Sequence, residues 1–347
     1  MSENQAPVGV HLVGSVPVST AEEMFRLSTE HLASHLKRLP DGEVGERDTW
    51  IRWQHARIAA SPHMSESDRE AVYVPRRPLG IVDGVESAAD IEFPDLGYAD
   101  AATESFSVFR ALTDEGVIPP NMRFQVGLPT PLSVAIFYIE PSSRLMFEEA
   151  YGRAIRGELQ RMLEVIPAEK LAVQWETVAE FGLLEGLMDN HLEGDLLDNI
   201  CDRLAALVDL VPEPAEVGIH LCYGDSGHKH FCEPEDAGYL VQVANRVAAR
   251  AGREIAWIHM PVPKERDDAA FYAPLANLEL SNETELYLGL VHQTGGKDGT
   301  QRRIDAASRI LSRFGVATEC GFGRRDLETI PDLMRQHADV AGKTASA

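Results

Sequence analysis

Eight short runs of apolar and β-branched residues, separated by longer stretches of helical period, constrain this chain more than any other feature. The runs are VGVHLVGSV (8–16), LKRLPDGE (36–43), RFQVGLPT (123–130), LAVQWET (171–177), VGIHLCYG (217–224), IAWIHMPV (255–262), ELYLGLVH (285–292) and GVATECG (315–321). Helical spacing fills 19–35, 143–165, 195–209, 235–251, 300–313 and 327–340, with Ser, Thr, Asp or Pro opening several of these segments and Gly following them. Strands that alternate with helices need crossover connections, and crossovers generate parallel sheets. Eight such units predict an α/β fold, a (β/α)8 TIM barrel formed as one domain over residues 1–347.

The interval from Asp48 to Asn121 breaks the alternation. It is rich in Pro, Asp and Gly and is expected to be an elaboration (48–121) over the barrel mouth, between the second and third strands. A separate small domain is the alternative, but no Gly/Ser-rich or Pro-rich linker isolates it. Composition narrows the partners. Acidic residues outnumber basic ones by 55 to 32, for a net charge of −23, a field that repels phosphate backbones and anionic lipid surfaces and argues against nucleic acid as a partner. No apolar run approaches the roughly 18 residues of a membrane span, so no membrane role is expected. Four cysteines in 347 residues are too sparse for a disulfide framework, and MSENQAPVGV has no basic flank leading into an apolar run. A reducing, cytoplasmic location is the expectation.

In a barrel of this kind, chemistry gathers where the strands end at the C-terminal mouth. The residues at those ends are Gly14-Ser15, Asp41-Gly42-Glu43, Thr130, Glu176, His220 with Cys222, His259, His292, and Glu319-Cys320. His220 and Cys222 are two apart on one strand and so share a face. Imidazole and thiolate suit Zn²⁺. Cys320 is a third candidate ligand and His259 a fourth, whereas the competing reading makes the cysteines small buried hydrophobes and His220 a hydrogen-bonded core residue. Asp41, Glu43, Glu46, Arg47 and Asp48, grouped around two glycines, are candidate substrate contacts at the mouth, as is Gln174-Trp175-Glu176. The cluster His228-Lys229-His230-Phe231-Cys232 lies in the Gly-rich loop after the fifth strand and reads as a substrate-covering loop or a solvated turn, with metal binding the lesser alternative.

Taken together, GSVP, DGEVGER, HLCYGD, the strand ending in His292, and ATECGFGRR resemble the catalytic barrel of cobalamin-independent methionine synthases and its single-barrel relatives, in the same order over nearly the whole chain. The resemblance implies a catalytic zinc held by His220, Cys222 and Cys320, with His292 donating a proton to the leaving group. Where the family has a Glu ligand this chain reads WIHMPVP, which makes His259 the candidate fourth ligand. Where the family has an acidic pattern holding the amino group of homocysteine, this chain reads Gln174-Trp175-Glu176-Thr177. Trp175 is taken to displace that anion, leaving Glu176 or Glu43 to replace it. The implied activity is zinc-dependent alkyl transfer, in the first instance methyl, to a small-molecule thiol. The donor would be a folate or a corrinoid carrier, and Ser15, Glu43, Arg47, Trp175 and Glu176 would contact substrate. Two other readings stay open: hydrolysis or elimination on a nonthiol molecule in the same barrel, and a noncatalytic small-molecule binder.

Overall fold

In the computed structural model, residues 7–226 and 229–344 are described. Helix α1 (Ala21–Leu32), capped by the Thr20 side chain accepting from the Glu23 N–H, leads into strand β1 (Arg38–Pro40). Helix α2 (Gln54–Ala59), an antiparallel pair β2 (Met64–Glu66) and β3 (Leu79–Ile81), and helix α3 (Tyr98–Asp114) fill the 48–121 interval. Strand β4 (Arg123–Pro129), helices α4 (Pro131–Tyr138) and α5 (Arg144–Val165), strand β5 (Leu171–Thr177) and helices α6 (Ala179–Leu184) and α7 (Leu196–Asp209) follow. The chain continues through β6 (Glu216–Leu221), α8 (Gly238–Arg250), β7 (Trp257–Pro261), α9 (Ala269–Tyr272), β8 (Glu285–Gly289), α10 (Gly296–Ser308), β9 (Gly315–Val316) and α11 (Ile330–Val340).

Seven strands form one parallel sheet in the order β1-β4-β5-β6-β7-β8-β9. The segment expected as the first strand is reduced to bridge residues lying between the two edges. Val10 pairs with Val316 of β9, His11 N–H donates to the Val316 carbonyl (2.9 Å), and Val10 N–H donates to the His35 carbonyl just before β1 (2.8 Å). The expected eighth strand likewise shortens to two residues. Beyond it Ala317 still exchanges backbone hydrogen bonds with Leu288 and Val291, and Cys320 then joins the site described below.

Strand alternation divides the core in two. Outward-facing residues such as Val173, Trp175, Ile219, Ile258 and Leu288 pack in one large cluster with the helices. Inward-facing residues stack in layers. At the lower end Ala172, Trp257 and Tyr287 form their own cluster, with the Arg38 guanidinium 4.2 Å from the Trp257 ring centroid and paired with Glu216 and Glu285. Above it stand His11 and Gln174, joined at 2.8 Å. The register then aligns Glu176, His220 and His259 on neighbouring strands. The polar upper layer is therefore built by the same period of two that built the apolar lower one. No helix among the described residues is long and apolar enough to cross a membrane.

Candidate metal centre

At the C-terminal end of β6, His220 and Cys222 share the inner face, and the loop after β9 brings Cys320 beside them. One ligand atom from each of the three lies within 4.8 Å of the others. The two sulfurs are 3.9 Å apart, and two sulfurs bound at about 2.3 Å to a tetrahedral ion stand about 3.8 Å apart. His220 Nδ1 is 2.7 Å from His259 Nδ1, while His220 Nε2 is buried and has no hydrogen-bond partner among the described residues. A buried nitrogen without a partner is costly, and a cation at this point would satisfy it. Cys222 beside it, together with burial, holds the Cys320 thiol well above its ordinary range, and a bound cation reverses that by stabilising the thiolate. The donor set thus fits a zinc ion.

His259 does not complete this triad. Its Nδ1 faces His220 and its Nε2 lies 2.9 Å from the Thr318 carbonyl, so both ring nitrogens are engaged. The register explains the departure from expectation: His259 pairs with His220, not with Cys222, and sits one inward position below the sulfurs. His292 is also buried. Its Nδ1 is 3.0 Å from Glu319 Oε2 and its Nε2 is 2.9 Å from the Val262 carbonyl. Burial alone would raise the Glu319 carboxyl, but His292 and Arg325 prevail and hold it at about 2.

Two carboxylates face each other across the mouth. Glu43 and Glu176 both line a cavity of about 520 Å³ whose floor is His220, Cys222 and Cys320. A Cβ on Gly14 would overlap the Glu43 carboxylate, and one on Gly127 would overlap that of Glu176, so these glycines make the room. Glu43 has a left-handed φ of 51°, a strained conformation that marks functional turns. Burial pushes the Glu43 carboxyl well above its ordinary value and the charge of Glu176 adds to this. Burial likewise pushes Glu176 up to about 7, against the hydrogen bond it accepts from Gln174 Nε2 at 3.2 Å.

Of the other expected contacts, Ser15 lies on the cavity wall. Arg47 lines a smaller adjoining pocket with Glu43, Trp50 and Glu176 and grips Asp41 through two nitrogens at 2.7 and 3.3 Å, and Asp41 also accepts from Ser105 Oγ at 2.7 Å. Its charge supports the turn that presents Glu43. Trp175 is fully buried in the outer core, away from the cavity. Its neighbours Gln174 and Glu176 occupy the inner face, which leaves Trp175 the outer one.

No family model and no curated protein sequence matches the chain. Solved structures do. A putative vitamin-B12-independent methionine synthase from Listeria monocytogenes is 15% identical, with 97% of this chain and 99% of that one aligned at a TM-score of 0.57. A B12-independent methionine synthase from Shewanella sp. W3-18-1, solved with selenomethionine, is 12% identical over 96% of each chain, with a TM-score of 0.59. The chain shares the fold of B12-independent methionine synthases. A methyltransferase from Methanosarcina mazei is also similar, at 12% identity, 97% and 94% coverage and a TM-score of 0.52.

Within this methionine synthase-like fold, the outer wall of the cavity is largely what sequence reasoning missed. Trp50, Tyr73, Phe137, Tyr138 and Phe231 give it an aromatic lining, and Asp225 and Arg324, 3.3 Å apart, stand near the thiols. Tyr73 and Trp50 come from the 48–121 interval, whose irregular pattern gave no period by which to place them. Lys229 and His230 from the expected covering loop also line the cavity, whereas His228 lies outside the described residues.

The raised Glu176 has a consequence for stability. Between the ordinary carboxyl value near 4.3 and about 7, the folded protein holds a proton that the unfolded chain has released. Stability therefore falls as pH rises through that window. Glu176→Gln removes this titration, so its melting temperature relative to the parent chain should climb from about pH 5 to about pH 8. Thermal melts across that range check this, and a difference that does not change with pH would count against the assignment.

Proposed function

We propose that this chain is a zinc-dependent transferase that moves an alkyl group, methyl in the first instance, to the sulfur of a small-molecule thiol. The observation that carries the reading is the His220, Cys222 and Cys320 donor set at the floor of a cavity about 520 Å³ in volume. The fold shared with proteins described as methionine synthases and a methyltransferase supports it. On this reading the seven-stranded sheet and the Val8–Val10 bridge residues form the eightfold barrel of a single domain. Residues 48–121 elaborate its mouth.

Bound by His220, Cys222 and Cys320, zinc supplies Lewis acidity that keeps a substrate thiol ionised at neutral pH. Glu43 and Glu176 hold a cationic or hydrogen-bond-donating head, an amino group being the simplest case, since two buried carboxylates without a cation repel. Ser15 borders the reacting end, and the aromatic wall excludes water from the donor. His292 is assigned proton delivery to the leaving atom; Glu319 and the Val262 carbonyl hold its two ring nitrogens, so the role requires one of these contacts to open toward the cavity. The acceptor is a thiol, and the donor is of the folate or corrinoid type. The site needs two reduced thiols, and all four cysteines are free, in keeping with a reducing compartment.

A second reading rests on Glu176, whose carboxyl near 7 suits general acid–base work on a nonthiol substrate; it requires turnover with no thiol acceptor present. Elemental analysis of untagged protein with thiol titration tests the first reading. It expects about one zinc per chain, with two cysteines shielded until a chelator is added. Absence of zinc, with Cys222 and Cys320 reacting before any chelator, would overturn it.

A further inference from the structure

We infer that His259 acts as the residue that fixes the tautomer of His220 and thereby aims the His220 Nε2 lone pair at the two thiols. The inference rests on the metal-site reading above and deepens it, replacing His259 as a ligand with His259 as a positioning residue.

His259 Nε2 lies 2.9 Å from the Thr318 carbonyl, and a carbonyl can only accept, so Nε2 carries the hydrogen. A neutral imidazole has one N–H, which leaves His259 Nδ1 as a lone pair. His220 Nδ1 stands 2.7 Å from it and must be the donor in that contact. The one proton of His220 is then on Nδ1, and Nε2 is bare. That nitrogen is the one that is buried without a partner among the described residues, in the residue that shares the donor set with Cys222 and Cys320. The opposite proton arrangement would need a cationic His259, fully buried with its ring 4.8 Å from His220 and 5.7 Å from His11. No hydrogen bond to a carboxylate from the described residues would support that charge. Metal-binding histidines commonly have the second nitrogen fixed in this way by an acceptor. Here the acceptor is a second imidazole, itself fixed by the loop that carries Cys320. Thr318 reinforces the same loop by donating its hydroxyl to the Cys320 carbonyl at 2.5 Å.

Two substitutions separate the roles. His259→Asn can place an amide oxygen near the position of Nδ1 and keep an acceptor for His220, whereas His259→Leu removes the acceptor at similar size. Loss of an outer-shell partner weakens metal binding about 10- to 100-fold. The expected result of zinc competition against a chromophoric chelator is a loss of that size in the Leu variant and recovery of most of it in the Asn variant. X-ray absorption on the zinc-loaded parent protein should show one imidazole and two sulfurs. Two imidazoles, or equal affinity in the Leu variant, would overturn the inference while leaving the zinc reading standing. Nitrogen-15 histidine NMR on metal-free protein decides the matter even if no zinc binds or the Leu variant fails to fold. A proton on His220 Nδ1 and on His259 Nε2 supports the relay, and the opposite tautomer at either residue refutes it.

Discussion

Cys222→Ser and Cys320→Ser should each strip the protein of zinc while leaving its secondary structure and cooperative melting in place. The donor set has three members, and a hydroxyl does not ionise near neutral pH as a metal-bound thiol does. The loss should therefore exceed the about 10- to 100-fold expected when only an outer-shell partner is removed. The fold should survive because Cys222 and Cys320 lie beyond the ends of β6 and β9, outside the sheet, and neither belongs to the main apolar cluster. A Ser of nearly the same size leaves no cavity and finds polar neighbours. His292→Ala offers the contrast: it should retain zinc and lose turnover, because its ring nitrogens bond Glu319 and the Val262 carbonyl, not the donor set. Elemental analysis, circular dichroism and a thermal melt on the three variants check this together. Full zinc content in both serine variants would remove the proposed centre.

The layered interior shows which parts of this site could be read in advance. Helical period located α5 and α7 to within a residue or two, since each buries one face against the sheet. The two-residue period put His220 and Cys222 on a common face, and the Glu43 and Glu176 carboxylates at the ends of their strands did face the cavity. What could not be read was rotation and partner choice. The spacing of His259 is that of an inward residue, which it is, but only the register with His220 shows that its nitrogens are engaged by a neighbour and a carbonyl. Arg47 reads as a mouth residue and does line a pocket beside Glu43 and Glu176, but its pairing with the buried Asp41, whose charge needs compensation, was not legible. Short ladders at the N-terminal segment and at β9 were likewise invisible, because a strand-like composition does not reveal where the loop geometry of a site interrupts pairing.

Trp175→Ala should destabilise the protein by about 3–5 kcal/mol, the range for removing a large buried aromatic. Glu176→Gln, one residue away, should instead alter stability chiefly through its pH dependence. The difference is a matter of strand parity. Glu176 shares the inner face with Gln174 and lies near Gly127 and Glu43, whereas Trp175 points into the outer cluster and is fully buried. The carboxylate that this strand end presents to the cavity is thus Glu176, and Trp175 is not among the cavity-lining residues. A loss of about 3–5 kcal/mol is a large fraction of the stability of most domains, so Trp175→Phe, which keeps an aromatic ring in place, is the companion variant and should fall between the two. Chemical denaturation with zinc analysis on the folded fraction separates the alternatives. A Trp175→Ala protein that stays as stable as the parent but binds its metal or ligands differently would return Trp175 to the cavity wall. A strongly destabilised protein whose folded fraction still holds zinc would place the contribution of Trp175 in the outer core and not at the site.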